Sequence, residues 1–323
     1  MNIGNVKING IAALAPMAGV TDKAFREVCA LCGAAYFTSE MISTKGLIYN
    51  SKKTFELMDR SKYDNPFAIQ LFGNTPSDFA QAIDIIAENG LLPDIIDINM
   101  GCPATKIVKE NSGSALMKNP DLCGEIVRVS KSVSPIPVTV KIRSGWNSKT
   151  VNAVEVAKIC ELAGADAITV HGRTKEQGYS GKSDLEIIKQ VKESIKIPVI
   201  GNGDVVDLAS ARQLIEFTKC DMVAVGRASM GNPWIFSEIN KGIFENQKWV
   251  EPSINEKIEI IKIHIQKICM YKGQERGIKE ARKHIASYIK DIPNAANYRK
   301  IAFQAESIEE IFNLCEKIAE SSI

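Results

Sequence analysis

The chain has 323 residues, of which 45% are hydrophobic and 24% are charged, and its formal net charge is +2. This composition is typical of a folded globular protein and excludes the disordered and fibrous classes. A net charge near zero gives no general indication of a nucleic-acid partner, although it can conceal a basic face.

The N terminus and the cysteines bear on the compartment in which the protein works. The first ten residues contain no basic cluster followed by an apolar core, and the apolar stretch 11–20 is too short to cross a bilayer. Eight irregularly spaced cysteines do not form a disulfide framework. Cys29 and Cys32 make an isolated C-x-x-C pair without further ligands at zinc-site spacing, so we predict packed helix thiols and no metal. We expect a cytoplasmic protein with no membrane partner.

From residue 11 onward, short runs rich in Val, Ile, Ala and Phe alternate with amphipathic segments of helical length. Such runs are typical of strands buried in a parallel sheet. The predicted strands are Ile11–Ala15, Ala35–Ser39, Phe67–Phe72, Ile95–Ile98, Pro137–Ile142, Ala167–Val170, Pro198–Gly201 and Met222–Val225. Eight such units within about 240 residues favour a closed (β/α)8 TIM barrel, an α/β fold, over an open doubly wound sheet.

The alternation ends after the segment 234–244, and the stretch 246–253 has the composition of a linker. Four helical segments beyond it predict a C-terminal all-α helical bundle. These segments are Asn255–Tyr271, Gly277–Lys290, Ala295–Phe303 and Ser307–Ser321. Residues 257–300 contain eleven Lys and Arg against four Asp and Glu, so the basic charge is concentrated in this region. We predict a barrel domain over residues 1–245 and a helical domain over residues 246–323.

Polar residues, or residues with a special backbone role such as proline and glycine, follow nearly every predicted strand at its carboxyl end, where barrel enzymes form their active sites. In strand order they are Pro16, Met17 and Ala18; Glu40; Gln70; Asn99; Lys141 and Arg143; His171 and Arg173; Asn202, Gly203 and Asp204; and Gly226 and Arg227. A ring of such residues in an otherwise aliphatic barrel predicts a cofactor that lies across the barrel mouth.

The last two strand ends favour a cofactor that carries a phosphate. Barrels often bind phosphate with the loops after strands seven and eight. Gly201, Gly203 and Gly226 would let backbone N–H groups approach an anion, and Arg227 would add a bidentate charge. Because Gly-x-Gly is also common in ordinary turns, the prediction depends on Arg227 at the matching place one unit later.

Three further strand ends are suited to a flavin ring. A cation such as Lys141 beside the N1–C2 edge of an isoalloxazine stabilises the negative charge of the reduced ring. Gln70 can hydrogen-bond the ring edge, and Met17 can pack against the ring where Pro16 breaks the strand. The alternatives are a surface cation for Lys141 and a core methionine for Met17.

The segment Asn99-Met100-Gly101-Cys102-Pro103 places a cysteine in a Gly–Pro loop above the barrel mouth, where packing explains it poorly. With an unperturbed pKa of about 8.5, a thiol is mostly protonated near neutral pH and can act as a general acid. The alternative is a buried core thiol. We predict that Cys102 is catalytic.

Five motifs together resemble those of the tRNA-dihydrouridine synthase family, closest to its bacterial DusB-like branch. They are Asn99–Pro103, Val140–Gly145, His171–Thr174, Gly201–Asp204 and Gly226–Arg227. The resemblance covers nearly the whole chain, including the basic segment Ala281-Arg282-Lys283-His284. It implies an FMN-dependent, NADPH-driven enzyme that reduces a uridine in the D-loop of tRNA to 5,6-dihydrouridine.

The resemblance also implies a role for each matching residue. FMN would be held by Pro16, Met17, Ala18, Gln70, Lys141, His171, Asn202, Gly203, Asp204, Gly226 and Arg227. Cys102 would protonate uracil C5 while flavin N5 delivers a hydride to C6, and Asn99 and Arg173 would face the uracil. Relatives commonly have two lysines after Cys102 where this chain has Thr105 and Lys106, so Lys106 alone would contact the substrate there. No Gly-x-Gly-x-x-Gly follows a strand, so NADPH would share the flavin face with the substrate.

The basic tail separates this interpretation from two alternatives. An FMN barrel that acts on a free pyrimidine, similar to the dihydroorotate dehydrogenases, would need no such domain. A non-catalytic RNA-binding protein on an old barrel scaffold would need neither the ring of polar strand ends nor Cys102. We therefore predict an enzyme in which Lys279, Arg282, Lys283 and His284 contact tRNA phosphates. Separately, we expect the protein to be a monomer. The remaining alternative for these four residues is a solvated helix face.

Overall fold

The computed structural model describes residues 1–290 and 292–321. Its centre is a closed parallel barrel in which the strands follow the order β10-β3-β4-β5-β6-β7-β8-β9. These strands are β3 (Ala12–Leu14), β4 (Phe37–Ser43), β5 (Phe67–Phe72), β6 (Ile95–Met100), β7 (Val138–Arg143), β8 (Ala167–His171), β9 (Val199–Asn202) and β10 (Met222–Val225). Each overlaps a predicted strand, and the predicted TIM barrel is confirmed.

Two features of the sheet differ from the predicted pattern. Strand β4 continues four residues beyond its predicted end at Ser39, with a register shift between Thr38 and Met41, so Glu40 lies within a bulged strand. A short antiparallel pair, β1 (Asn2–Ile3) and β2 (Val6–Lys7), precedes the barrel. Two-residue strands are too short for alternation to be visible in the sequence. Ile3 and Ile8 pack there against the first residues of the barrel strands and close the end opposite the strand carboxyl termini.

Helices surround the barrel and cover the outward-facing strand residues. They are α1 (Lys23–Leu31), α2 (Thr44–Ile48), α3 (Lys52–Glu56), α4 (Pro76–Glu88), α5 (Thr105–Lys109), α6 (Pro120–Val133), α7 (Ala153–Leu162), α8 (Leu185–Ser194), α9 (Leu208–Thr218) and α10 (Ile235–Ile239). Local signals fix several helix starts. Asp207, for example, forms a capping box with Ser210 at the start of α9. The apolar faces of these helices form one core with the strands.

The C-terminal region contains α11 (Ile254–Lys272), α12 (Gln274–Tyr288), α13 (Ala295–Gln304) and α14 (Ile308–Glu320). A π-helical turn, Asn240–Phe244, lies between α10 and this region. The four helices share an apolar cluster that also contains barrel residues Ala24, Cys32 and Trp234. The helical tail therefore packs directly on α1, and the predicted helical region is confirmed. The division of the chain at residue 245 stays a prediction.

Polar contacts reinforce this packing. Glu27 of α1 accepts hydrogen bonds from Lys267 and from the Tyr271 hydroxyl, the latter at 2.7 Å, and Lys272 forms a salt bridge with Asp22. Lys267 and Lys272, two of the eleven basic residues in 257–300, thus pair with acidic groups of the barrel. Among the helices that the described residues form, none is long and apolar enough to cross a membrane.

Candidate active site at the barrel mouth

A cavity of about 860 Å³ opens at the carboxyl ends of the barrel strands. The structure brings all eleven residues predicted to hold a cofactor to its wall, together with Asn99, Cys102 and Arg173. Val20, Met41, Arg143, Tyr179 and Met230 complete much of the lining. A volume of this size is in the range of cofactor and small-molecule pockets.

Cys102 lies half-buried at the edge of this cavity on a loop that is held at several points. Its N–H donates to Asn99 Oδ1 at 2.9 Å, and its carbonyl accepts from Ser114 N and Ser114 Oγ at 3.1 and 2.9 Å. Gly113 has a φ of +61°, and a Cβ there would stand 2.9 Å from the Cys102 carbonyl oxygen, so this close approach requires glycine. Burial raises the pKa of the Cys102 thiol above its ordinary value, which keeps the thiol protonated at neutral pH.

Lys141 and His171 carry different charges although they lie in the same cavity. The Lys141 ammonium donates to Asn202 Oδ1 at 3.1 Å, and burial and the nearby Arg143 lower its pKa to about 8. It therefore remains mostly charged at neutral pH. Burial, with the charges of Lys141, Arg143, Arg173 and Arg227, lowers the pKa of His171 to about 2. His171 is consequently a neutral imidazole, in which one ring nitrogen donates a hydrogen bond and the other accepts one.

Arg173 and Asp204 form an ion pair at 2.7 Å on the cavity wall. The guanidinium is 3% exposed and also donates to the carbonyls of Ser180 and Gly181. Burial would raise the pKa of Asp204, but hydrogen bonds from Ser183 N and Arg173 hold it below its ordinary value. The sequence predicted separate roles for these residues, one toward the uracil and one toward the cofactor. The structure shows that each orients the other.

Arg227 is the exposed cation of the cavity rim. Its guanidinium lies 4.4 Å from the centre of the Tyr179 ring, and no carboxylate of residues 1–290 or 292–321 forms a salt bridge with it. The neighbouring Gly226 lines the cavity, and a Cβ there would make ordinary van der Waals contact with Met17 Sδ at 3.7 Å and Ala15 Cβ at 3.8 Å. An arginine without a carboxylate partner beside an accessible backbone fits a phosphate group.

A family model described as Dihydrouridine synthase matches residues 13–323. The chain belongs to the dihydrouridine synthase family. It is 40% identical over 306 residues to tRNA-dihydrouridine synthase B of Pasteurella multocida, covering 94% of this chain and 91% of that relative. It is 41% identical over 300 residues to a probable tRNA-dihydrouridine synthase of Rickettsia bellii, covering 93% of this chain and 91% of the relative. The predicted family, and with it the predicted enzyme class, is confirmed.

A solved structure similar to this dihydrouridine synthase family member is 6-hydroxypseudooxynicotine amine oxidase (HisD) from Pseudomonas geniculata. The TM-score is 0.57 at 16% identity, over 76% of this chain and 49% of that chain. At this level of identity the likeness concerns the fold alone, and it agrees with the barrel described above.

The residues predicted for RNA contact lie outside the cavity. Lys106 is exposed on α5, next to the cavity residue Thr105. On α12 of this dihydrouridine synthase family member, Lys279 forms a salt bridge with Glu275 at 2.8 Å, and Arg282 donates to the Ala305 carbonyl at 2.8 Å. Lys283 donates to the carbonyl of Gly19, in the loop that carries Met17 and Ala18 into the cavity.

His284 was expected to contact phosphate, and that prediction is wrong. The side chain is 2% exposed and packs 5.7 Å from Phe25 and 4.5 Å from His264, measured between ring centres. Its position on the face of α12 turned toward α1 could be read from the helical spacing, because residues 281 and 285 are apolar and lie on the same side.

Two cavity residues of functional interest were not assigned roles from the sequence. Arg143 donates to the carbonyls of Gly101, Thr174 and Gly178 at 2.8–2.9 Å and so ties the Cys102 loop to the loop after β8. Tyr179 is 57% exposed and lies over both Arg143 and Arg227. An aromatic residue between Gly178 and Gly181 in a loop after a strand was the available signal for Tyr179.

Proposed function

We propose that this protein is a tRNA-dihydrouridine synthase that uses FMN and NADPH to reduce a D-loop uridine to 5,6-dihydrouridine. The observation that carries the proposal is the single cavity at the strand carboxyl ends, which contains a protonated thiol, a charged lysine and an arginine without a carboxylate partner. The names of the relatives, which cover nearly the whole chain, support the same activity and substrate.

FMN fits the side chains of the cavity. Arg227 with the backbone at Gly203 and Gly226 would bind the phosphate, while Met17, Gln70 and Lys141 would border the ring. Pro16, Ala18, His171, Asn202 and Asp204 would complete the pocket. A positive Lys141 beside the ring favours the reduced, anionic form. When bound here, FMN would supply the hydride for uracil C6.

Cys102 would supply the proton that accompanies this hydride. Its thiol is protonated at neutral pH, so Sγ–H can transfer a proton to uracil C5 and regain one from solvent. Arg143 and Lys141 are close enough to lower the pKa of the thiol partly toward its ordinary value, and they would stabilise the thiolate left after transfer. Asn99 and Arg173 would hold the uracil beside this thiol.

The substrate has to enter this cavity as an extruded base, since a pyrimidine stacked within folded RNA cannot reach the barrel mouth. We assign catalysis to a barrel domain of residues 1–245 and tRNA binding to residues 246–323, with Lys279, Arg282 and Lys283 on α12 and Lys106 near the mouth. NADPH would occupy the same cavity before the uridine, which predicts ping-pong kinetics.

Mass spectrometry of tRNA nucleosides from cells that lack this protein, and from the same cells after it is restored, tests the activity. Dihydrouridine at one or more D-loop positions should disappear and return, and the Cys102→Ala protein should restore little of it. If the tRNA of the deficient cells keeps its full dihydrouridine content at every position, the proposed function is wrong.

A further inference from the structure

Beneath the cavity, a buried aspartate lies at the end of a chain of side-chain hydrogen bonds. Asp97 of β6 is 4% exposed, and strand register places it beside Gln70 of β5 and Thr139 of β7. Asp97 Oδ2 accepts from Gln70 Nε2 at 2.7 Å, and Oδ1 accepts from Thr139 Oγ1 at 2.6 Å. None of the roles discussed above involves Asp97.

The chain continues upward from Gln70 to the catalytic loop. Gln70 Oε1 accepts from Asn99 Nδ2 at 2.7 Å. Asn99 Oδ1 in turn accepts from the N–H groups of Gly101 and Cys102 at 3.1 and 2.9 Å. Gln70 and Asn99 are 1% and 7% exposed, so exchange of these bonds for water is restricted.

The direction of every bond in this chain follows from its two ends. The backbone N–H of Cys102 can only donate, so it requires the oxygen of the Asn99 amide. Burial raises the pKa of Asp97, while the hydrogen bonds from Gln70 and Thr139 and the charge of Lys141 favour its ionised form. The ionised carboxylate can only accept, so Asp97 requires the nitrogen of the Gln70 amide. With both ends fixed, each amide uses one N–H inside the chain and has a second N–H, and both residues line the cavity. The Asn99 amide nitrogen also lies 4.0 Å from Met41 Sδ, another residue of the cavity wall.

We propose that Asp97 is a positioning residue that holds the amide of Gln70, whose oxygen in turn holds the amide nitrogen of Asn99, so that both residues present N–H donors to the bound flavin and base. The site would then be selective for hydrogen-bond acceptors, such as ring nitrogens and carbonyl oxygens, at these two points. This inference rests on the proposed function for the identity of the ligands, but not for the chain of hydrogen bonds itself.

Thr139 provides a matched control. Thr139→Val removes the second hydrogen bond to Asp97 but leaves the bond to Gln70, whereas Asp97→Leu removes both. Asp97→Asn loses the charge but can still turn its oxygen toward Gln70, because the Thr139 hydroxyl can accept from the new amide nitrogen. The series therefore separates the acceptor from the charge.

The experiment measures three quantities: the FMN affinity, the visible absorption spectrum of bound FMN, and the melting temperature. The proteins compared are the wild type, Asp97→Leu, Asp97→Asn, Thr139→Val, Gln70→Leu and the double variant Gln70→Leu/Asp97→Leu. We expect Asp97→Leu to weaken FMN binding about tenfold and to shift the spectrum, because an unpaired buried amide reorients. Asp97→Asn and Thr139→Val should stay within about twofold of wild type and keep its spectrum. The double variant should bind FMN as Gln70→Leu does, since Asp97 acts through Gln70.

A purely structural role for Asp97 would lower the melting temperature without changing the spectrum. Wild-type affinity and spectrum in Asp97→Leu would overturn the proposal, as would a double variant that binds FMN much more weakly than Gln70→Leu. If Asp97→Leu does not fold, the double variant replaces it, because it leaves no unpaired amide at position 70. Failure of the wild type to bind FMN would instead count against the proposed function.

Discussion

At the scale of single residues, burial keeps two ionisable groups of the cavity neutral. Cys102 and His171 are neutral at pH 7 because they are buried and, for His171, surrounded by cations. Lys141 keeps most of its charge with a pKa of about 8. The cavity thus combines a proton donor with a cation, which is the pairing that a hydride acceptor with developing negative charge requires.

Replacing Cys102 with Ala should separate the two half-reactions. Reduction of the bound flavin by NADPH should stay close to the wild-type rate, while uridine reduction should fall by about 10²–10⁴, the usual range for loss of a general acid. Stopped-flow absorbance measures the first rate, and nucleoside analysis measures the second. Cys123→Ala, which removes a fully buried thiol of α6, is the control. Equal uridine reduction in Cys102→Ala and wild type would rule out the proton-donor role.

Replacing Arg227 with Ala should weaken FMN binding about tenfold to hundredfold, because a charge-assisted contact with phosphate is lost. Equilibrium titration of the flavin-free protein measures this, and Arg128→Ala on the exposed face of α6 is the control. Riboflavin lacks the phosphate, so its affinity should be the same in Arg227→Ala and wild type. A parallel loss for both ligands would show that Arg227 acts on the fold of the loop.

The sequence predicted the members of the cavity better than the contacts among them. Each predicted cofactor residue follows a strand, and the barrel brings all strand ends to one place. The pairing of Arg173 with Asp204 and the position of Asp97 depend on strand register and loop shape, which residue type alone does not encode. Arg143 ends β7 and Tyr179 lies in the loop after β8, so no local pattern predicts their contact.

At the scale of secondary structure elements, the main result is how α11 and α12 meet α1. The sequence predicted the helices but left their basic residues free for RNA. In the structure Lys267 and Lys272 pair with acidic groups of α1 or the residue before it, and His264 and His284 lie buried beside Phe25. A helical pattern identifies the buried face of each helix but not the element that covers it.

This histidine contact makes stability depend on pH. Burial and nearby lysines lower the pKa of His284 to about 4, and burial and His284 lower that of His264 well below its ordinary value. The folded pKa values lie below the unfolded value of about 6.5, so the stabilisation is complete above pH 6.5 and is lost as pH falls toward 4. We expect the free energy of unfolding to fall by up to about 1.4 kcal/mol per pH unit for each buried histidine.

Urea denaturation at several pH values between 7.5 and 4.5 measures this slope. His264→Phe should flatten it by one proton, since a phenyl ring fills the site next to Phe25 without titrating. The Tyr288 hydroxyl, which lies 3.2 Å from His264 Nδ1, would lose that partner, so the comparison concerns the slope and not the absolute stability. An unchanged slope in His264→Phe would mean that His264 is protonated in the folded protein.

At the scale of the whole molecule, the fold class and the helical tail were predictable because eight similar units repeat and the repetition then ends. The attachment of the tail was not, since the shared apolar cluster joins residues more than 200 positions apart in sequence. A barrel ending near residue 245 would expose the apolar and polar residues of α1 that α11 covers in the full chain. We therefore expect this shortened chain to be less stable than the full chain.

The barrel mouth has a second basic surface besides α12, formed by Lys118, Trp146 and Lys175. The two ammonium groups lie 3.3 and 4.4 Å from the centre of the indole ring. Backbone hydrogen bonds from Lys175 to Gly145 and from Glu176 to Trp146 fix the loop that carries it. If a flipped base enters the adjacent cavity, as we propose, RNA phosphates would pass over this rim as well as over the tail.

The salt dependence of tRNA affinity distinguishes the contributions of these two surfaces. Lys279→Ala/Lys283→Ala tests α12 without Arg282, whose bond to the Ala305 carbonyl gives it a structural role, and Lys118→Ala/Lys175→Ala tests the rim. Each lost phosphate contact flattens the slope of log affinity against log salt by about 0.7–0.9, so the slope of a surface with two contacts should flatten by about 1.4–1.8.

Lys192→Ala is the control, because Lys192 pairs with Asp221 at the opposite end of the barrel. FMN content, measured in the same preparations, should not change, which shows that Lys283 does not act through the Gly19 loop. A wild-type slope in both double variants would mean that tRNA binds elsewhere and that these lysines are solvated surface charges.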